Sequence, residues 1–143
     1  MNYKEFLESK IDMAGDSGFA IRPEMINNAL KPHQRDAVAW ALKGGRRALF
    51  ESFGLGKTVQ EIEFCHLAAQ HANGRALIVL PLGVKQEFTR DAVEVLGYEK
   101  PEYCRTMEEV EGCSSQIVLT NYERVRDGDI RPEYFVATAL DEA

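Results

Sequence analysis

The sequence is short of several features that would each indicate a class of protein. Its 143 residues include three cysteines, with no C-x2-C pair. An odd, widely spaced set of cysteines argues against a disulfide framework and fits a reducing cytosol. No stretch approaches the roughly 18 apolar residues of a membrane span, and the charged start MNYKEFLESK does not resemble a secretory signal. We therefore expect a cytoplasmic protein with no membrane partner.

Positive charge is also scarce. The chain has 17 Lys and Arg against 23 Asp and Glu, which gives a net charge of −6. Dedicated nucleic-acid modules are usually basic, so this balance argues against strong binding by the isolated chain but leaves room for a local basic strip. His66 and His71 are five residues apart, which does not suit helical metal-ligand spacing, and we expect no zinc site.

Apolar runs and helical patterns alternate along the chain. The predicted strands are residues 48–50, 76–80, 116–120 and 134–140, with a weaker one at 102–105. The predicted helices are residues 2–12, 32–42, 57–71, 84–96 and 107–110. Such alternation predicts a parallel sheet with helices on both faces, an α/β fold without internal repeats.

A glycine-rich segment, Gly54-Leu55-Gly56-Lys57-Thr58, lies where an apolar strand gives way to a helix. Glycine lets several backbone N–H groups converge on one phosphate, and the following helix adds its N-terminal partial charge. Lys57 is expected to reach the β- and γ-phosphates of ATP, and Thr58 to ligate Mg²⁺. Glu51 stands where the strict phosphate-loop pattern has glycine, so a chance glycine-rich turn is the alternative.

An upstream glutamine could recognise the base. Gln34 follows Lys31-Pro32-His33, and its amide offers a donor and an acceptor side by side, which match N7 and N6 of adenine. The alternative is a helix start with a surface glutamine.

An acidic pair, Asp141-Glu142, follows the last apolar run and precedes Ala143. In doubly wound folds such a strand end lies beside the phosphate loop. Asp141 is expected to hold Mg²⁺, and Glu142 to orient or deprotonate the attacking water. The alternative is a solvated acidic C-terminus.

Taken in order, these motifs resemble the first RecA-like lobe of superfamily 2 helicases, most closely the Swi/Snf-type DNA translocases. Residues 30–35 resemble the glutamine motif, 51–58 the acidic form of motif I, 77–82 with Phe88 motif Ia, 117–123 motif Ib, and 140–143 the start of the DEAD or DEAH motif. A tryptophan is more usual near position 88. Residues 1–28 match no motif.

The resemblance implies a RecA-like three-layer sandwich, with residues 29–143 as a partial ATP-binding lobe and residues 1–28 as an N-terminal helical extension. It implies ATP hydrolysis that uses Lys57, Asp141 and Glu142 and is completed by a second RecA-like lobe. Because the sequence stops inside the DEAD-type motif, we expect the isolated chain to be inactive or very slow.

The resemblance also implies a nucleic-acid partner. Duplex DNA is the expected one, bound weakly through phosphates, in the cytoplasm or at the nucleoid. The contact candidates are Pro81, Leu82, Lys85, Thr120, Asn121 and Tyr122. Each of them has an ordinary alternative, such as a solvated helix charge or a capping aromatic. Two other functions stay open: the motor of a restriction system, and a non-catalytic ATP-binding fragment.

Overall fold

The computed structural model describes residues 18–44, 47–51 and 57–142, and these form helices around one parallel sheet. The strands are β1 (Arg47–Glu51), β2 (Ala76–Val79), β3 (Glu102–Tyr103), β4 (Ile117–Thr120) and β5 (Ala137–Glu142). Their spatial order is β1-β5-β2-β4-β3, and every neighbouring pair is parallel. The last strand therefore lies between the first two.

The described residues contain five α-helices; the first precedes β1, and the other four connect successive strands. They are α1 (Pro32–Gly44), α2 (Lys57–Ala72), α3 (Lys85–Arg90), α4 (Met107–Gly112) and α5 (Tyr122–Arg126). A π-helical turn, Asp91–Val95, continues α3, and 3-10 turns occur at Pro23–Met25, Leu82–Val84 and Pro132–Tyr134. The predicted α/β class, a three-layer RecA-like sandwich built on a parallel sheet, is confirmed.

Alternate strand residues point into two separate cores. Ala76, Ile78 and Leu80 face α1, α2 and α3 on one side of the sheet. Leu77 and Val79 face α4, α5 and the segment that leads into β5 on the other. All five residues are at most 1% exposed. Continuous apolar runs, instead of alternating ones, are what a sheet covered on both faces requires.

Helix α2 is buried around most of its circumference. The sequence predicts one apolar stripe that includes Val59 and Ile62, and both residues are buried. The charged Glu61 and Glu63 between and beside them are fully buried as well. The reason is a second layer, since α1 and the segment 18–30 contribute Val38, Leu30 and other side chains to the same core.

The segment before α1 packs against the lobe. Phe19 donates its N–H to the Leu42 carbonyl at 3.0 Å and stacks on His71 with 3.8 Å between ring centroids. Ile26 and Leu30 are 2% exposed. The described part of the predicted N-terminal extension, residues 18–28, therefore shares the core of the lobe. The predicted helix at 2–12 lies outside the described residues.

Two element boundaries differ from the sequence prediction. The single helix predicted over 84–96 is α3 followed by the π-helical turn, in which Leu96 N–H donates to the Asp91 carbonyl at 3.1 Å. The strand predicted to begin at Tyr134 begins at Ala137, because Pro132 starts a 3-10 turn there. No helix within the described ranges is long and apolar enough to cross a membrane.

A close approach fixes the end of α2. Asn73 adopts φ 53° after the last helical residue, and Gly74 donates its N–H to the Ala69 carbonyl at 3.1 Å. A Cβ atom on Gly74 would lie 2.6 Å from Val136 Cγ1. Glycine is therefore required where α2 turns back toward β2, beside the approach to β5.

Candidate functional site

The pairing of β1 with β5 brings the two predicted nucleotide motifs together. Phe50 is in register with Asp141, and Glu51 with Glu142. Lys57 begins α2 a few residues after β1, and its Nζ lies 2.5 Å from Oδ1 of Asp141. Residues 84 positions apart therefore meet at the carboxyl edge of the sheet, where ligands bind in open α/β folds.

The side chain of Asp141 points toward α2. Ala137 and Ala139 belong to the core on that side, and residues two apart on a strand face the same way. The Lys57 side chain is 16% exposed and that of Asp141 2%. Oδ1 of Asp141 has no aligned hydrogen-bond donor among the described residues, so its contact with Lys57 is an ion pair in poor hydrogen-bond geometry.

Glu61 is a third charged group in this site, and sequence reasoning did not select it. It is fully buried, and neither carboxylate oxygen has a hydrogen-bond donor in the described part of the chain. Burial, followed by the adjacent Asp141 carboxylate, raises the pKa of Glu61 well above its usual range, while the Lys57 charge acts in the opposite direction. Its spacing was the available signal, because a residue four positions after Lys57 on a helix lies on the same face.

The remaining nucleotide-binding candidates are placed as follows. Thr58, the second residue of α2, is 7% exposed. Gly54, Leu55 and Gly56 lie outside the described residues, so their predicted role stays a prediction. Glu142 is the last residue of β5, and its predicted part in activating water is likewise untested.

Gln34 is buried and takes part in starting α1. It is 5% exposed, and its Oε1 accepts a hydrogen bond from the Lys31 backbone N–H at 2.7 Å. With Pro32 as the first helical residue, Gln34 is the third, the position from which a glutamine side chain caps a helix. A carbonyl oxygen has two lone pairs, so this cap leaves the predicted adenine contact chemically open.

Two of the predicted nucleic-acid contacts have structural roles. Thr120 is fully buried, and its hydroxyl donates to the Cys104 carbonyl at 2.9 Å. Asn121 is the N-cap of α5 and accepts from Arg124 N–H at 3.4 Å. The side chains of Thr120 and Asn121 therefore stabilise the end of β4 in this structure.

The other contact candidates lie at the same edge of the sheet. The Tyr122 hydroxyl donates a hydrogen bond to the backbone carbonyl of Asp141, which joins the loop after β4 to the end of β5. Lys85 places its ammonium 4.8 Å from the centre of the Tyr103 ring. Pro81 is half-buried, and Leu82 beside it is 55% exposed. The segments after β2 and β4 and the end of β5 therefore lie at one edge of the sheet, where Leu82 is exposed.

The donor set limits what cation could bind here. In the described ranges no three histidine, cysteine or carboxylate side chains are grouped closely enough to hold a metal. A cation at this edge would depend on two carboxylates, the Thr58 hydroxyl, water and phosphate oxygens, the donor type that Mg²⁺ prefers.

No protein-family model matches the chain.

Proposed function

We propose that this chain is the ATP-binding lobe of a nucleic-acid-dependent ATPase of the helicase and translocase type, which couples ATP hydrolysis to movement on DNA. The observation that carries the proposal is the 2.5 Å contact between Lys57 at the start of α2 and Asp141 at the end of β5. This chemistry requires a lysine and a carboxylate to meet at one strand edge, and Lys57 and Asp141 meet there across 84 residues of sequence.

The residues present fit Mg²⁺ bound together with a triphosphate. Thr58 and Asp141 would hold the ion, which neutralises phosphate charge when bound. Lys57 pairs with a carboxylate when no phosphate is present, and we propose that it turns to the β- and γ-phosphates when ATP binds. Glu142, at the end of β5, would orient the attacking water. In this proposal the second lobe supplies the remaining cations.

Nucleic acid is the proposed track. The segments after β2 and β4 lie at the edge of the proposed nucleotide site, and the Tyr122 hydrogen bond to the Asp141 carbonyl links the segment after β4 to that site. In this proposal a phosphate backbone held beside Tyr122 is sensed at Asp141. With a net charge of −6, the lobe offers few phosphate contacts, so we expect weak binding of duplex DNA with a shallow dependence on salt, in the cytoplasm or at the nucleoid.

Replacing the lysine tests the nucleotide site. We expect Lys57→Ala to weaken binding of a fluorescent ATP analogue by roughly 10- to 100-fold, because a charge-assisted contact contributes about 1.5–3 kcal/mol. The matched control is Lys100→Ala, which removes an exposed lysine. Circular dichroism of all three proteins checks the fold, since the variant leaves Asp141 buried without its cation. Equal dissociation constants for folded wild type and Lys57→Ala would contradict the proposal.

A second arm of the same titration tests the base. We expect the wild-type chain to prefer ATP over GTP, and Gln34→Glu to remove the preference. Glutamate keeps the acceptor for the Lys31 N–H and so preserves the start of α1, but it lacks the amide donor that N7 of adenine requires. A preference that survives this substitution would assign base recognition to another residue.

A further inference from the structure

Glu61 is a buried charge whose surroundings do not account for it. A carboxylate removed from water is tolerated when it is paired, protonated or bound to a metal. Neither oxygen of Glu61 meets a hydrogen-bond donor in the described part of the chain. Lys57, whose charge acts on Glu61, is in contact with Asp141.

The position of Glu61 points to a ligand. It lies three residues after Thr58 and four after Lys57 on α2, so that all three side chains share one face of the helix. The Asp141 carboxylate is close enough to contribute to the raised pKa of Glu61, and both groups are acceptors when ionised. A buried carboxyl group that has a second carboxylate beside it and no donor of its own is accommodated by a proton or by a bound cation.

We propose that Glu61 and Asp141 together bind a divalent cation in the absence of nucleotide, with the Thr58 hydroxyl beside them. The site has oxygen donors only, which suits Mg²⁺ or Mn²⁺. Lys57 competes with that cation for Asp141 and leaves it when the cation binds. The inference rests on the proposed function, because Asp141 is also the carboxylate assigned there to the metal of Mg-ATP.

Binding of Mn²⁺ without nucleotide tests the inference. Free Mn²⁺ is measured by electron paramagnetic resonance as it is titrated into the whole chain at neutral pH. We expect the wild type to bind one ion, and Glu61→Gln and Asp141→Asn to weaken binding by at least about tenfold, the usual effect of losing a group that supports a metal. The matched control is Glu87→Gln, which removes an exposed carboxylate near Glu61 and should leave the affinity unchanged.

Replacing Lys57 gives a measurement that would not change if Glu61 had only a structural role. We expect Lys57→Ala to bind Mn²⁺ more tightly than the wild type, because it removes the competing ammonium from Asp141. The same variant is expected to bind ATP more weakly, so its two affinities should change in opposite directions. Thermal melting shows which variants are folded, and only the affinities of folded variants are compared.

The outcomes separate this inference from the proposed function. A wild-type chain that binds ATP but no Mn²⁺, or a folded Glu61→Gln variant with wild-type Mn²⁺ affinity, would overturn the cation site and leave the nucleotide site standing. Two carboxylates joined by a proton would give the first result. A chain that binds Mn²⁺ through Glu61 but does not bind ATP would overturn the proposed function alone.

Discussion

Two glutamates on α2, two residues apart and both fully buried, have opposite surroundings. Glu63 accepts hydrogen bonds from the Asn27 backbone N–H at 2.7 Å and from the Tyr98 hydroxyl at 2.5 Å. Glu61, toward the carboxyl edge of the sheet, has no such donor among the described residues. Burial alone therefore does not define what a charge does. Glu63 connects three parts of the fold, whereas Glu61 has the surroundings from which we propose a bound cation.

The cluster around Glu63 is satisfied at each step. Asn27 also donates through Nδ2 to the Leu96 carbonyl at 2.9 Å and to the Tyr98 hydroxyl at 3.1 Å. His66, one turn along α2, stacks on the Tyr98 ring, with 3.8 Å between centroids. Burial lowers the pKa of His66, which favours its neutral form. These contacts attach the segment before α1 and the end of the π-helical turn to α2.

The largest expected difference comes from making the same substitution at both glutamates. Glu63→Leu should lower the free energy of unfolding by about 3 kcal/mol or more, because it strands the Asn27 N–H and the Tyr98 hydroxyl at roughly 1–3 kcal/mol each. Glu61→Leu should leave it unchanged or raise it by roughly 1 kcal/mol, since an apolar side chain often replaces a buried charge without loss. Urea denaturation in the presence of a chelator measures both. Equal losses would erase the distinction between the two sites.

A smaller effect is expected from the partner of Glu63. Tyr98→Phe should cost about 1–3 kcal/mol, because it removes the hydroxyl while Glu63 stays buried. Burial and the hydrogen bond to Glu63 raise the pKa of Tyr98, so the phenol is the neutral donor. Tyr134→Phe is the control, since it removes a hydroxyl whose hydrogen bond with Arg75 is exposed to solvent. If both variants unfold at the same urea concentration, the Tyr98 hydroxyl contributes nothing specific.

The smallest expected effect is on the pH dependence of stability. The folded-state pKa of Glu61 is raised above its ordinary value of 4.5, so above that pH the folded chain holds a proton more tightly than the unfolded chain. Its contribution to stability is therefore fully present at low pH and is lost as pH rises through the folded pKa. Comparing urea midpoints across this range, with chelator present, should show a shallower decline for Glu61→Gln than for the wild type. Parallel profiles would mean that Glu61 does not titrate in this way.

The sequence predicted the position of site residues better on strands than on helices. Buried runs located the strands, and the parallel arrangement then placed Asp141 beside the start of α2. The apolar spacing along residues 57–71 predicted a helix but did not indicate where Glu61 and Glu63 lie. Their burial depends on a second layer of helix and loop, and Glu63 meets Asn27 and Tyr98 from 36 and 35 residues away. The periodicity of apolar residues along one helix carries no information about which distant segments pack over it.

Only some of the helix and strand boundaries can be explained from the neighbouring residues. The π-helical turn after α3 follows from no pattern that we recognise in the residues 91–95. β5 begins at Ala137 instead of Tyr134 because Pro132 favours the first position of a short helical turn. The cap made by Gln34 also has a sequence signal, because a glutamine three positions after the residue that precedes a helix commonly caps it.

The place of β5 in the sheet has a consequence for how the chain comes off the ribosome. Until Ala137 and the residues after it have emerged, β1 and β2 have no strand between them, and each presents an open row of backbone N–H and C=O groups. Pairings between residues so far apart in sequence form slowly. During synthesis the nascent chain therefore exposes two unpaired strand edges. A chaperone or rapid completion of the sheet is then needed to prevent aggregation.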